Sequence, residues 1–186
     1  YERNLGDGRD VKHIREGASL EKLFNFCRQS SEPIANMQWL INWQLFNLLI
    51  SNYDSHGKNV SFFYGANESV FTPAYDLVNV AMFNQFKHTL AMAMGDEFDP
   101  DTINAYQLVD FANSCQLDRK LVSRMLIKLA TKVLKVIAEN NIVSELEIEG
   151  VISQKETDYL NQVSGHIKNR ATHLLGETDE IALIEL

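Results

Sequence analysis

Cysteine is scarce: Cys27 and Cys115 are the two in a chain of 186 residues. Two thiols cannot make a disulfide framework, and each falls in an apolar, helix-like stretch where a buried free thiol is the ordinary outcome. That usage fits a reducing cytoplasm. Three prolines and nine glycines exclude collagen-like and linker-like chains. Charged or polar residues interrupt each apolar run well before 18 residues, and Tyr1 to Asp10 show no basic segment leading into an apolar one. Neither a membrane span nor an export signal is therefore expected. Positive charge is in deficit as well, with 17 Lys and Arg against 25 Asp and Glu, a net charge of −8. Such a field repels phosphate backbones and anionic lipids, so neither nucleic acid nor membrane is an expected direct partner. Part of the excess is local, because Glu177, Asp179, Glu180 and Glu185 close the chain without a basic residue among them.

What is present is core material: 45% hydrophobic and 23% charged residues, enough for one domain to bury about 70% of its unfolded surface. Leu20, Leu23, Phe24 and Cys27 recur at helical spacing from Ser19 to Gln29, which predicts a short amphipathic helix. From Ile34 to Ile50, Trp39, Leu40, Trp43, Phe46, Leu49 and Ile50 lie on nearly every side, the pattern of a helix buried in the core. Val60 to Tyr64 and Val70 to Thr72 flank Gly65-Ala66-Asn67 as in a small hairpin. Lys87 to Met94 predicts a further short strand. Asp99 caps and Pro100 opens a helix carrying Ile103, Tyr106, Leu108, Phe111 and Ala112. Asp118 caps a second, whose stripe runs from Leu121 through Leu129 to Ile137. A last helix, Gln154 to Leu175, is expected to end on Gly176 as a glycine cap. The fold class is mainly α, with a small β insert.

Between the buried helix and the hairpin lies Asn52-Tyr53-Asp54-Ser55-His56-Gly57-Lys58-Asn59, a polar stretch with no apolar periodicity. Asp, Asn and Gly are turn residues, so a plain connecting loop is one reading. The other is catalytic: a carboxylate within reach of an acceptor hydroxyl, with amide and carboxylate oxygens for a hard cation, is what phosphoryl transfer needs. Other polar residues are weaker candidates. His166 and His173, seven residues apart on one helix, would be about 10.5 Å apart at 1.5 Å per residue, too far for one metal ion, so they read as structural or surface residues. His13 with Lys12 and Arg15 forms a small basic cluster that could meet phosphate or simply face solvent. Phe62, Phe63, Tyr64, Phe71 and Tyr75 read as packing that holds the loop, with Tyr75 next to Asp76 also a candidate neighbour of a nucleotide.

The pattern Asn-x-Asp-x-His-x-Lys-Asn, followed by an apolar strand and then Thr72-Pro73-x-Tyr75-Asp76, resembles the C-terminal half of the HipA-like serine/threonine kinases of bacterial toxin–antitoxin systems. The two aspartates, Asp54 and Asp76, are 22 residues apart, near the family's spacing. The resemblance implies a helical kinase C-lobe over residues 1–186, with the hairpin beside the catalytic loop. It implies ATP and Mg²⁺ as cofactors and a protein Ser or Thr as acceptor. By it, Asp54 is the base, Asn59 and Asp76 are metal ligands, and His56, Lys58, Asn59 and Asp76 face the nucleotide. His56 stands where ordinary kinases carry a lysine two residues after the base. Lys58 either supplies that charge or contacts the loop backbone. Leu77-Val78 replaces the Phe-Gly of the usual metal-binding motif. A small DNA-binding antitoxin is the implied partner.

Gly6 and Gly8 form a G-x-G, but Val11 stands where a third glycine would be needed, and no β-rich segment with a phosphate-pairing lysine precedes the motifs. The expectation is a C-terminal lobe whose N-terminal lobe is absent from this chain, inactive by itself. Two other functions are consistent with the same residues. One is a helical interaction module without catalysis, and the other a metal-dependent hydrolase using Asp54, His56 and Asp76.

Overall fold

A computed structural model describes residues 17–65, 69–83, 85, 88–140 and 142–185, with the Tyr64 side chain excepted. The basic cluster around His13, the pair Gly6 and Gly8, the hairpin-tip residues Ala66 and Asn67, and Lys87 lie outside the described residues. Among the described residues the regular structure is six α-helices, three 3-10 turns and one two-stranded antiparallel sheet. Among the described residues no helix is long and apolar enough to cross a membrane.

Helix α1 (Leu20–Gln29) starts where the Ser19 side chain accepts from the Lys22 N–H, and it buries Leu20, Phe24 and Cys27. Helix α2 (Pro33–Leu49) has no charged residue and sets Leu40, Ile41, Trp43, Leu45, Leu48 and Leu49 into the core. At about 1.5–3 kcal/mol for each fully buried large aliphatic side chain, α2 is the element the rest is assembled upon. The expectation of a buried core helix holds. Strands β1 (Phe62–Tyr64) and β2 (Ser69–Phe71) pair with Phe62 opposite Phe71. Trp39 of α2 stacks on Phe71 at 4.1 Å, and Phe26 of α1 meets Phe62 at 4.5 Å. This aromatic row glues the hairpin to both helices.

Helix α3 (Ala105–Ser114) starts later than expected. Asp99 caps only a 3-10 turn, Pro100–Thr102, after which Ile103 turns extended and Asn104 with Gln107 forms a capping box. Ile103 is fully buried, and that burial breaks the run, because the apolar side chain must leave the turn to enter the core. Helix α4 (Arg119–Glu139) is capped by Asp118 as expected. It packs on α2 and on α6 (Gln154–Gly176). Helix α5 (Ile142–Ile148) buries no residue and leaves no periodic signal in the sequence.

Two further expectations fail. Residues 88–94 form no strand ladder: Leu90, Met92 and Met94 do alternate inward, but besides the isolated bridge Met94–Glu97 the segment is tied by single backbone bonds, from the Leu90 N–H to the Phe98 carbonyl at 2.8 Å and from the Ala91 N–H to the Tyr53 carbonyl at 2.9 Å. Their alternation serves core filling without a neighbouring strand. Gly176 is not a left-handed cap either. It stays right-handed at φ −62°, and the chain continues into a 3-10 turn, Glu177–Ala182. There Glu177 turns back, and its carboxylate accepts the Ala105 N–H at 2.8 Å, closing the start of α3.

Candidate active site

The polar loop leaves the end of α2 through Ser51, a left-handed residue with φ 58°. Immediately after it, the Asn52 N–H returns to the Asn47 carbonyl at 2.8 Å. The Asn52 side-chain amide then donates both to Asn47 Oδ1 at 2.8 Å and to the Asp76 carbonyl at 2.9 Å. A buried asparagine thus ties the loop to the second motif. Gly57–Asn59 makes a single 3-10 turn, opened by the His56 ring, whose Nδ1 accepts the Lys58 N–H at 3.2 Å.

The turn aims Asn59 inward. Only 4% of it is exposed, and its amide nitrogen donates to Asp76 Oδ2 at 2.7 Å. Asp76 itself sits at φ 56°, a conformation that Asp and Asn tolerate better than other side chains. Its carboxylate is exposed on one side and held by Asn59 on the other. Tyr75 is not free to approach a ligand with its hydroxyl. It donates to the Lys58 carbonyl at 2.7 Å and lies 2.7 Å from the Ser61 hydroxyl. Tyr75 therefore pins the loop backbone from the hairpin side, as the packing reading of the aromatics expects.

Asp54, His56 and Lys58 share the loop with Asn59, and Asp54 and Lys58 are exposed while His56 is half-buried. The Asp54 carbonyl accepts the His56 N–H at 2.8 Å. Beside them lies a cavity of about 270 Å³ lined by Ala18, His56, Gly57, Lys58 and Met92. No group of three or more His, Cys, Asp or Glu able to hold a metal occurs among the described residues. The donor set does fit Mg²⁺ of the nucleotide-bound kind, which takes one or two protein oxygens and fills the rest with phosphates and water. The bond between Asn59 and Asp76 uses one amide nitrogen and one carboxylate oxygen, leaving the chemistry of one amide and one carboxylate oxygen for such an ion.

Behind the loop is a group that the motif reading passed over. Ser51 Oγ lies 2.9 Å from His166 Nε2 of α6. Burial, and then the Arg170 guanidinium, hold His166 below the ordinary imidazole value, with Asp101 working the other way. Tyr53 is pushed up by burial, against a hydrogen bond from Ser51 and the charge of Arg170. Arg170, also buried, donates to the Pro100 carbonyl at 2.6 Å. Neither spacing nor composition marks Ser51 and His166 as partners, since 115 residues separate them.

Residues 5–137 match the family model described as the HipA-like C-terminal domain. The chain is 40% identical, over its whole length, to the serine/threonine-protein kinase toxin HipA of Shewanella oneidensis. It belongs to the HipA family. The fold agrees with that of the Shewanella HipA solved in complex with HipB and its operator DNA, at a TM-score of 0.87 and 39% identity over 100% of this chain. This HipA-family chain spans 42% of the length of each of those relatives. The expected architecture, a helical lobe with a hairpin insert, is the one the relative shares.

Proposed function

We propose that this HipA-family chain is the catalytic C-terminal lobe of a serine/threonine kinase that moves the γ-phosphate of ATP to a protein hydroxyl. The observation that carries the reading is the 2.7 Å bond between Asn59 and Asp76. Two motifs far apart in the chain converge there on the donor pair that a Mg-nucleotide needs. In this reading Asp54 accepts the proton of the substrate hydroxyl, while Asn59 and Asp76 hold Mg²⁺, which neutralises charge on the phosphates. His56 and Lys58 face the transferred phosphate, Lys58 from an exposed position. An N-terminal lobe supplies the phosphate loop and the lysine that this lobe does not carry. The S. oneidensis relative, a toxin solved with HipB and DNA, supports a role as the toxin of a toxin–antitoxin pair in the cytoplasm, restrained by a small DNA-binding antitoxin.

The test separates a base from a metal ligand in the full-length protein. Asp54→Asn should cut turnover by about 10²–10⁴-fold, the usual loss of a positioned acid–base group, and leave Mg-ATP affinity near the wild-type value. Asp76→Asn should weaken Mg-ATP binding along with the rate, with partial recovery at high Mg²⁺. Full turnover by Asp54→Asn, or equal loss of nucleotide binding in both, would remove these assignments. Phosphate release from model esters without nucleotide would put a metal-dependent hydrolase in their place.

A further inference from the structure

Three non-glycine residues among those described have left-handed backbones, and two of them, Ser51 and Asp76, border the site. L-residues rarely adopt that conformation, and such strain persists only where the surroundings over-determine it. The surroundings here are explicit. The Ser51 N–H reaches the Leu48 carbonyl at 3.3 Å, and the Ser51 carbonyl takes the Val80 N–H at 3.1 Å. One residue on, Asn52 holds the Asp76 carbonyl. The two strained residues therefore brace each other through a strip of backbone that carries both motifs. The side chain of Ser51, wholly buried, is held from outside this strip by His166 at 2.9 Å.

We infer that His166 is a positioning residue for phosphoryl transfer: its neutral ring holds the Ser51 hydroxyl, and through Ser51 the turn that sets Asn52, Asp54 and the Asp76 segment. This rests on the kinase reading above. A neutral imidazole carries one N–H and one acceptor nitrogen, and an imidazolium has donors only. The Ser51 hydroxyl has one proton and two lone pairs, so the bond runs either from Oγ–H to Nε2 or from Nε2–H to Oγ. Taking a proton from solvent leaves only the second arrangement and in either case sets a second cation beside Arg170, one turn further along α6. Among the described residues, the charged groups acting on the ring are that arginine and Asp101 from the 3-10 turn before α3. Helix α2, which packs against α6, brings no charge, and α4, packed on the same helix, brings Lys132, which lines a cavity together with Ile167 next to His166 and adds a further cation on that side. The balance favours the neutral ring, so the loop stays organised at neutral pH and loosens as pH falls.

The experiment compares His166→Gln with His166→Leu in the full-length protein from about pH 5 to 8, the span of imidazole titration. Gln offers a polar atom near the place of Nε2 but does not titrate. The turnover number is followed together with histidine ¹³C signals and the amide signals of Asn52 and Asp76. The wild type should lose turnover on the acid side at the midpoint of the His166 signal, and both amides should move with that midpoint. His166→Gln should keep at least about half the turnover at pH 8 and lose that acid limb. His166→Leu should lose about tenfold in kcat with KM for Mg-ATP nearly unchanged, the pattern of disturbed alignment. The inference is overturned if His166→Gln keeps the wild-type acid limb or is as slow as His166→Leu at pH 8. It is overturned equally if the Asn52 and Asp76 amides ignore the titration of His166, a readout that stands even where the leucine variant fails to fold. Absence of phosphoryl transfer by the wild type at every pH would instead sink the kinase reading, and the amide titration would still decide whether His166 governs the loop.

Discussion

Asn59 and Asp76, 17 residues apart in the chain, meet through a 2.7 Å hydrogen bond from amide to carboxylate. The buried member is neutral and the exposed one charged, an arrangement that leaves a single negative charge facing solvent. Replacing the neutral member tests what the pair is for. Asn59→Asp would put two carboxylates in contact, and like charges so close oppose each other's ionisation. The variant should melt below the wild type in chelator and regain stability in millimolar Mg²⁺, with a larger Mg²⁺-dependent rise in Tm than the wild type shows. Equal Mg²⁺ response in the two proteins would argue against a cation at this pair.

Gly57 tests how tightly the polar loop is seated. A Cβ at this position would lie 2.4 Å from the Ala18 Cβ, closer than two such carbons can approach. Gly57→Ala should therefore cost about 1–3 kcal/mol, the range for overpacking, and Ala18→Gly in the same chain should recover much of it. A double-mutant cycle by chemical denaturation reads the coupling directly. Additive effects would mean that the loop and the segment before α1 adjust independently.

The two thiols give a pH dependence with a definite sign. Both are buried and free, and burial pushes Cys27 from 9.0 to about 11 and Cys115 from 9.0 to about 12. The unfolded chain releases these protons at lower pH than the folded one, so stability is intact below about pH 9 and declines as pH rises toward 11. Unfolding free energy measured across that window should fall less steeply in a Cys27→Ala, Cys115→Ala double variant. At pH 8 the native protein should resist a disulfide-exchange reagent and react fully once denatured.

Glu177 belongs to the acidic end of the chain, yet its carboxylate closes the first turn of α3 through the Ala105 N–H. Removing that acceptor in Glu177→Ala should cost about 1–2 kcal/mol, as for other caps of a helix start. Asp179→Ala, two residues on and exposed, should change stability by less than about 0.5 kcal/mol. Equal Tm shifts would show that the acidic turn acts as a diffuse charge and not through one bond.

The helices were legible because their signals are local. Ser19 and Asp118 cap where their positions announce it, and the uncharged run of α2 could be accommodated only in a core. The hairpin was legible from its apolar runs and turn residues, and the family was legible from Asp54, Asn59 and Asp76 at their spacing. The strand expected at Lys87 to Met94 failed because alternation reports only which side chains turn inward, and a ladder needs a neighbour that the sequence cannot supply by itself. The single helix expected from Pro100 failed at Ile103, whose burial outweighs the helical pattern around it.

Residue type and spacing by themselves therefore determined the helical class, the core helix and the membership of the loop residues in one motif, since each depends on interactions within a few residues of chain. Tertiary structure alone decided that Asn59 donates to Asp76, that Tyr75 spends its hydroxyl on the loop, and that His166 reaches Ser51. Those contacts join residues 17, 17 and 115 positions apart. They form only where packing of α6 and the hairpin against α2 brings distant backbone within hydrogen-bond reach, and no local pattern encodes that distance.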